Sequence, residues 1–285
     1  MKPIATRTIK SVELPNGVKL QYVEQGDPSS IPVVLLHGVT DSWRSFEPVL
    51  PRLPGSIHAF ALTQRGHGDA DRPASGYRPR DFAADLAAFM DVLDLGQAVI
   101  AGHSMGSYAA QRFAMDHPER TLGLVLVGSF TNWQDNPAVA EFWEKALSTL
   151  EDPIDPEFMR EFQESPLMEP AFFETAVREA LKVPARVWRE AWKALMDTDH
   201  SGELGKIEAP TLIVWGDQDE LIPRSEQDAL AAAIASSRLE VYPGIGHGLH
   251  WDAPERFAND LEAFVENVAA GRAKEAPLDG EKSEP

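Results

Sequence analysis

Cysteine is absent from the 285-residue sequence, which excludes disulfides, thiolate nucleophiles and cysteine-based metal sites. Basic residues are scarce, because 26 Lys and Arg stand against 45 Asp and Glu, for a formal net charge of −19. Such an excess of negative charge disfavours nucleic acids and anionic membrane surfaces as partners. We therefore expect a small-molecule ligand or substrate rather than a polyanion.

Long apolar runs are also missing. A membrane-spanning helix needs about 18 apolar residues or more, and no run of that length occurs. The first ten residues, MKPIATRTIK, lack the apolar core of a secretory signal peptide. We expect a cytoplasmic protein without a membrane segment. The length suffices for one large α/β domain, or for a domain with an insert, around a full core.

Short apolar runs do occur, and they alternate with helical patterns. The runs lie at 19–24, 32–38, 58–62, 98–102, 122–128, 211–216 and 239–244. Between them we predict helices near 42–53, 80–94, 104–117, 224–235 and 254–269. This alternation is typical of a mostly parallel sheet that is covered on both faces by helices.

Residues 129–206 break the alternation and show four helical patterns instead. Prolines lie at or near the four starts, where a missing N–H costs little: Pro137, Pro156, Pro170 and Pro184. We predict that 129–206 form a helical cap over the strand ends, and that 1–128 and 207–270 form the core. Residues 271–285 are polar and contain proline, so we expect a disordered tail.

The stretch AVIAGHSMGSYAAQRFA, residues 98–114, places Ser104 between a predicted strand and a predicted helix. Gly102 and Gly106, two residues before and after it, relieve crowding where the two backbones approach. The hydroxyl would then project over the sheet edge, and the N–H of Met105 would point toward an oxyanion formed on a substrate. Because Gly-x-Ser-x-Gly also occurs by chance in turns, further segments must support this interpretation.

Four further segments have the sequences LLHGVTDSW (35–43), RGHGDADRP (65–73), WGDQDELIP (215–223) and GIGHGLHWDAPERF (244–257). Together with GHSMG, and in this order, they make the chain resemble the α/β-hydrolase superfamily, in a serine esterase or lactonase-like branch with a helical cap. The resemblance implies a mostly parallel sheet of about eight strands, with helices on both faces and an inserted all-helical cap. It also implies that the N–H of Val39 is the second donor of an oxyanion hole.

A serine hydroxyl becomes a nucleophile when a neutral histidine accepts its proton and a carboxylate orients that histidine. Ser104, Asp219 and His247 occur in the order that this fold uses, each just beyond a predicted strand. We assign Ser104 as the nucleophile, His247 as the general base and then acid, and Asp219 as the orienting carboxylate. No cofactor or metal is expected.

Two other carboxylates are rivals for the acid. Asp217 lies in the same loop as Asp219, but in the resembling family this position more often braces the turn. Asp135, shortly after the sixth strand of the family pattern, is the acid position in some relatives. We favour Asp219.

Other histidines need separate interpretations. His103 directly precedes Ser104, so it should point away from the site when Ser104 points in, and serve as a structural hydrogen-bonding residue. His250 and His247 can be drawn as a metal pair, but no third ligand accompanies them. His37 is expected to brace its Gly-containing loop.

The nucleophile limits the chemistry. Epoxide hydrolases and haloalkane dehalogenases of the same superfamily need Asp at the elbow, whereas Ser104 forms an acyl-enzyme. We expect a hydrolase of carboxylic esters or lactones that acts on small to medium, largely apolar substrates. Carbon–carbon bond hydrolysis of ring-fission products, cofactor-free perhydrolysis, hydroxynitrile lysis and a non-catalytic ligand receptor on the same fold remain open as alternatives.

Aromatic side chains are candidates for the pocket wall, although the same residues can also serve to bury the cap on the core. The candidates are Trp43, Phe142, Trp143, Trp188, Trp192 and Trp251. Residues 129–206 carry 16 acidic and 8 basic side chains. An acidic cap disfavours highly anionic substrates such as CoA thioesters.

Overall fold

The computed structural model describes residues 7–134, 136–165 and 167–275, and an eight-stranded sheet lies at its centre. The strands are β1 (Thr8–Glu13), β2 (Lys19–Gln25), β3 (Ile31–Leu36), β4 (Ile57–Thr63), β5 (Ala98–His103), β6 (Thr121–Val127), β7 (Thr211–Gly216) and β8 (Ser237–Tyr242). Their spatial order is β1-β2-β4-β3-β5-β6-β7-β8. β2 is antiparallel to β1 and to β4, and the other pairs are parallel. The predicted mostly parallel sheet is confirmed.

The central strands were readable from the sequence because they are buried on both faces. Every residue of β4, β5, β6 and β7 is buried, as expected for parallel strands between two layers of helices. β1 was not predicted. Val12 is its one buried residue, and this edge strand therefore carries no apolar run.

Nine α-helices are found in the described part of the chain. They are α1 (Pro79–Val92), α2 (Met105–Asp116), α3 (Pro137–Phe142), α4 (Pro156–Gln163), α5 (Pro170–Ala180), α6 (Ala185–Met196), α7 (Arg224–Ala233), α8 (Leu249–Asp252) and α9 (Pro254–Glu275). α1, α2 and α7 contribute to the hydrophobic cluster on one face of the sheet, and α9 contributes to the cluster on the other. The prediction of helices on both faces is confirmed.

Two predicted boundaries differ from the structure. The helix expected at 42–53 is replaced by two 3₁₀ turns, Trp43–Phe46 and Leu50–Arg52, because Pro48 and Pro51 interrupt the segment. α9 continues to Glu275, so residues 271–275 are helical although they were assigned to the tail. Residues 276–285 lie outside the described part of the chain.

Residues 129–206, called the helical insert below, connect β6 to β7 and contain α3 to α6. A π-helical turn, Trp143–Leu147, continues α3. Proline occupies the start of α3, α4 and α5, and a preceding side chain (Asn136, Asp155 or Glu169) accepts a hydrogen bond from the first turn. Among the described helices of the whole chain, none has the length and apolar character to span a membrane.

Candidate functional site

Ser104 lies in the sharp turn between β5 and α2, with φ at 50° and ψ at −117°. A Cβ added to Gly102 would lie 2.3 Å from the carbonyl oxygen of Gly106, and one added to Gly106 would lie 2.4 Å from that of Leu36. Such distances are far below van der Waals contact, so both positions require glycine. The predicted steric role of the two glycines is confirmed, and the strained turn holds Ser104 at the carboxyl end of the sheet.

His247 and Asp219 are brought together from two loops. Nδ1 of His247 lies 2.7 Å from Oδ2 of Asp219, whose side chain is fully buried. Oδ1 of Asp219 accepts hydrogen bonds from the backbone N–H groups of Leu221 (3.0 Å) and Ile222 (2.9 Å). The carboxylate is thus fixed on both oxygens, and it selects the histidine tautomer with the proton on Nδ1.

The second ring nitrogen of His247, Nε2, is buried and has no hydrogen-bond partner among the described residues. In the selected tautomer it carries a lone pair. Burial by itself would lower the pKa of His247, but the charge and hydrogen bond of Asp219, with a further contribution from Asp41, raise it above its ordinary value. A basic, unpaired nitrogen is the property that a general base requires.

Ser104 and His247 line one cavity of about 960 Å³ beneath the helical insert. This volume is at the upper end of the range found for small-molecule sites. Of the predicted wall residues, Phe142, Trp192 and Trp251 line it. Both the insert and the loops of the core therefore contribute to the wall.

The prediction was wrong for Trp43, Trp143 and Trp188, which are not among the described residues that line the cavity. Trp43 is buried under the sheet, where its Nε1 donates to Gln21 Oε1 at 3.1 Å. Trp188 is fully buried inside the insert. Trp143, on the π-helical turn, is a half-buried residue that packs against the hydrophobic core. All three pack in the hydrophobic core, which is the alternative role considered for these aromatic residues.

Val39 and Met105, the predicted oxyanion donors, lie in two separate segments, the turn after β3 and the start of α2. Met105 is the first residue of α2, where backbone N–H groups have no intrahelical acceptor. Val39 lines the cavity, and its peptide plane is held through the carbonyl of Gly38, which is 2.7 Å from Nδ1 of His37 and 3.4 Å from the N–H of Asp41. Because N–H and C=O point in opposite directions in a trans peptide, fixing this carbonyl also fixes the Val39 N–H.

His103 and His250 pack around His247. His103 is buried although the residue lines the cavity, and its Nε2 donates to the carbonyl of His247 at 3.1 Å, which is the structural hydrogen bond expected of it. Burial and the nearby His250 and His247 hold the pKa of His103 well below its ordinary value. Nε2 of His250 lies 2.9 Å from Ser45 Oγ, and burial lowers the pKa of His250 to about 3. Both are neutral rings that support the histidine loop.

The rival carboxylates differ from Asp219 in position. Asp217 is exposed, and its Oδ1 accepts from the backbone N–H of Gly244 at 2.7 Å, which braces the turn as expected. Asp135 lies outside the described residues. Among the described residues there is no group of three or more potential metal ligands.

Three residues at the site were not singled out from the sequence. Asp41 is buried and lines the cavity, and burial raises its pKa to about 7 although hydrogen bonds from Gln163 and Ser45 act in the opposite direction. Gly128 has φ at +53°, and a Cβ there would lie 3.1 Å from both Cε1 and Nδ1 of His247. Two of these residues could have been found from the sequence. Asp41 lies two residues after Val39 in the predicted oxyanion turn, and Gly128 ends the apolar run at 122–128. No sequence signal marks Gln163.

Comparison with known proteins agrees with this architecture. Residues 31–254 match the family model described as alpha/beta hydrolase fold. A non-heme chloroperoxidase of Streptomyces lividans is 28% identical, over 90% of this chain and 99% of its own length. A 2-hydroxymuconate semialdehyde hydrolase of Pseudomonas sp. is 28% identical, over 89% of this chain and 93% of its own. Among solved structures, an esterase of Exiguobacterium antarcticum superposes with a TM-score of 0.80 at 25% identity, covering 91% of this chain and 100% of that one.

The mostly parallel sheet, the strained serine turn and the paired histidine and aspartate define an α/β protein with a candidate site at the carboxyl edge of its parallel strands. The match over residues 31–254 makes the assignment specific: the chain belongs to the alpha/beta hydrolase fold family.

Proposed function

We propose that the protein is a serine hydrolase that cleaves carboxylic esters or lactones through an acyl-enzyme on Ser104. The observation that carries this proposal is the pair of His247 Nδ1 and Asp219 Oδ2, which leaves the Nε2 atom of His247 as an unpaired acceptor in the cavity that Ser104 lines. The solved esterase supports ester cleavage, whereas the relative named as a 2-hydroxymuconate semialdehyde hydrolase supports hydrolysis only in general.

In this mechanism Nε2 of His247 accepts the proton of Ser104 Oγ as the oxygen attacks the substrate carbonyl carbon. The N–H groups of Val39 and Met105 stabilise the negative charge that develops on the carbonyl oxygen. His247 then gives its proton to the departing alkoxide, which leaves as the alcohol, or as the free hydroxyl end of an opened lactone. A water molecule, deprotonated by His247, attacks the acyl-enzyme and releases the acid and Ser104.

The charge of the cavity favours uncharged substrates. Its lining includes five carboxyl side chains and, among the described residues, no Lys or Arg; the five are Asp41, Glu161, Glu164, Glu220 and Asp252. A carboxylate on the substrate would enter against this charge without a cationic partner. Ring-fission products carry carboxylates, so carbon–carbon bond hydrolysis of such compounds is the weaker alternative.

Aromatic side chains in the cavity wall favour apolar substrates. Phe142, Phe158, Phe162, Trp192 and Trp251 line the same cavity. We assign the helical insert the role of a cap, because α3, α4 and α6 supply four of these rings. An apolar acyl or alcohol group packed against them would lose its contact with water, which favours small to medium apolar substrates.

A second candidate reaction is cofactor-free perhydrolysis, and the 28% identical chloroperoxidase of S. lividans favours it. Hydrogen peroxide would replace water as the attacking group on the acyl-enzyme and release a peracid. Incubation with an acyl donor, hydrogen peroxide and bromide tests this, since a peracid oxidises bromide. The Ser104→Ala variant must lose the signal if the acyl-enzyme is the source.

Two experiments test the principal proposal. A fluorophosphonate probe should label folded wild-type protein on Ser104 and should fail on Ser104→Ala; an unlabelled wild type would favour the receptor alternative. A rate panel of p-nitrophenyl esters of increasing acyl length, simple lactones and one ring-fission product should then rank the substrates. Equal hydrolysis of the preferred ester by wild type and Ser104→Ala would refute the mechanism.

The charge argument has its own matched test. A neutral ester and the analogue that carries a carboxylate at the far end of the acyl chain should differ in kcat/KM, with the anionic ester slower. The ratio should shrink as salt is added, because the glutamates at the cavity mouth are exposed and their charge is screened. A ratio near one at low salt would contradict the assigned substrate class.

A further inference from the structure

Gln163 is the last residue of α4, and its side chain is directed at the turn after β3 rather than at solvent. The residue is 2% exposed. Its Nε2 donates to Thr40 Oγ1 at 2.9 Å and lies 3.5 Å from Oδ1 of Asp41. The helical insert thus reaches the turn that carries Val39.

Thr40 is a strained position in that turn. Its φ is +68°, a left-handed conformation that is a clear outlier for a β-branched residue. Such a conformation persists only when surrounding contacts hold it. The side chain supplies one of them, because the Thr40 hydroxyl donates to the carbonyl oxygen of Val39 at 2.6 Å. Since the hydroxyl proton is used in this way, the oxygen is free to accept from Gln163.

The two peptide planes that flank Val39 are therefore held from different parts of the molecule. On the N-terminal side, Nδ1 of His37 lies 2.7 Å from the carbonyl of Gly38, and His37 belongs to the core. On the C-terminal side, Thr40 holds the carbonyl of Val39, and Gln163 of the insert holds Thr40. The direction of the Val39 N–H depends on both planes.

We propose that Gln163 is a positioning residue for the oxyanion hole, through which a seated helical insert aligns the Val39 N–H with the developing oxyanion. This inference rests on the proposed hydrolase function. It assigns the insert a part in the chemistry in addition to its part in the cavity wall. Substrates that fit under a seated α4 gain the full stabilisation of the oxyanion, and substrates that hold α4 away do not.

A purely structural role for the same hydrogen bond would have different consequences. Loss of a structural contact lowers the stability of the insert and affects substrate binding and turnover together. Loss of an oxyanion alignment acts in the transition state, so it lowers kcat while KM changes little. The two roles are therefore separable by kinetics.

The test variant is Gln163→Leu, which keeps the side-chain volume and removes the donor. Because deleting a whole oxyanion donor costs about 10²–10³ in kcat, we expect misalignment to cost about 10-fold, with KM changed less than about twofold. The inhibition constant of a trifluoromethyl ketone, which forms a tetrahedral oxyanion with a serine, should weaken in parallel with kcat. The carbonyl stretch of the acyl-enzyme should move to higher wavenumber, since the carbonyl is less polarised.

The matched control is Arg160→Gln in the same helix. Arg160 makes an exposed ion pair with Glu174 of α5, and such pairs contribute little to stability, so its loss removes a polar contact of α4 while the helix stays seated, and kcat should stay within about twofold of wild type. The proposal is overturned if Gln163→Leu keeps wild-type kcat, or if Arg160→Gln loses as much.

Thr40→Val supplies a second, independent variant in case Gln163→Leu does not fold. It removes the hydroxyl through which Gln163 acts and that hydroxyl's own hydrogen bond to Val39, so it should lower kcat at least as much as Gln163→Leu, and the double variant should lose no more than Thr40→Val alone. Additive losses would overturn the proposal. A wild-type protein that hydrolyses no acyl substrate would instead contradict the proposed function itself.

Discussion

Oδ2 of Asp219 lies 2.7 Å from Nδ1 of His247, while Oδ1 of the same carboxylate accepts from two backbone N–H groups at 2.9 and 3.0 Å. The carboxylate therefore cannot rotate without losing hydrogen bonds on both sides. This arrangement fixes the orientation of the imidazole as well as its tautomer, and it stabilises the imidazolium that forms when His247 takes a proton.

Asp219→Asn should reduce kcat by about 10⁴-fold. The amide oxygen can still accept from the backbone N–H groups, but its NH₂ would then face Nδ1 and force the proton onto Nε2, the wrong tautomer. Ester hydrolysis at saturating substrate measures the loss. Asp217→Asn is the control, because this exposed residue contacts the Gly244 N–H and not the histidine, and it should change kcat less than about twofold. An equal loss in both variants would contradict the assignment of the acid.

The ionisation of His247 predicts the acidic limb of the pH profile. His247 must be neutral to accept the serine proton, and its pKa is raised by Asp219 and, to a smaller extent, by Asp41 against the effect of burial. Activity should therefore fall with a midpoint above 6.5, the ordinary value for histidine. Asp41→Asn removes the smaller of the two contributions, from a carboxyl group that is only partly ionised near its own pKa of about 7, so the midpoint of kcat/KM against pH should move slightly to lower pH. A midpoint that does not move would show that Asp41 does not influence this titration.

Asp41 also links stability to pH. Burial raises its pKa from 3.8 to about 7, so the folded chain binds more protons at this site than the unfolded chain does between these values. The contribution of Asp41 to the free energy of unfolding is consequently present below pH 3.8 and is lost as the pH rises through 7. Asp41→Asn abolishes this loss, and the variant should gain stability relative to wild type between pH 5 and pH 8. Urea unfolding of both proteins at pH 5 and at pH 8 measures the difference in the free energy of unfolding between variant and wild type. If this difference is the same at both pH values, Asp41 does not link stability to pH.

Gly128→Ala should impair catalysis more than folding. The new Cβ would lie 3.1 Å from Nδ1 and Cε1 of His247, so the ring must shift by a few tenths of an ångström. Because misplacement of catalytic groups by about 1 Å can cost 10²-fold, we expect a loss of kcat between about 5-fold and 50-fold. Gly17→Ala is the matched control: its φ is +80°, and no atom of the described residues lies within 4 Å of the added Cβ. It should lower the melting temperature by a similar backbone strain and keep normal kcat, and a similar kcat loss in both would refute the steric explanation.

The sequence predicted those features that depend on residues close together in the chain. The buried strands were found because parallel strands between helices are continuously apolar, and the serine turn was found because its glycines lie two residues away on either side. β1 was missed since only Val12 of that strand is buried. The helix predicted at 42–53 is instead two 3₁₀ turns, because Pro48 and Pro51 cannot donate the backbone hydrogen bonds of a continuous helix.

The features that the sequence did not predict depend on contacts between segments far apart in the chain. The hydrogen bond from Gln163 to Thr40 spans 123 positions of the chain, and no pattern around either residue indicates it. The aromatic stripes pose the same problem, because helical periodicity shows that a side chain faces inward but not whether it meets a core or a cavity. Phe142 and Trp143 are adjacent, yet only the first of the two lines the cavity.

This adjacent pair supplies a sharp test of the cavity wall. Phe142→Leu should enlarge the space next to Phe162, whose ring centroid is 5.6 Å away, and shift the preferred p-nitrophenyl ester to a longer acyl chain. Trp143→Leu removes a residue that packs on the core, so it should lower the melting temperature and leave the preference unchanged. The ratio of kcat/KM for octanoate to that for butyrate measures the preference. If Trp143→Leu shifts this ratio as much as Phe142→Leu does, the acyl group does not bind where the structure places the cavity, and the substrate class assigned from its lining falls with it.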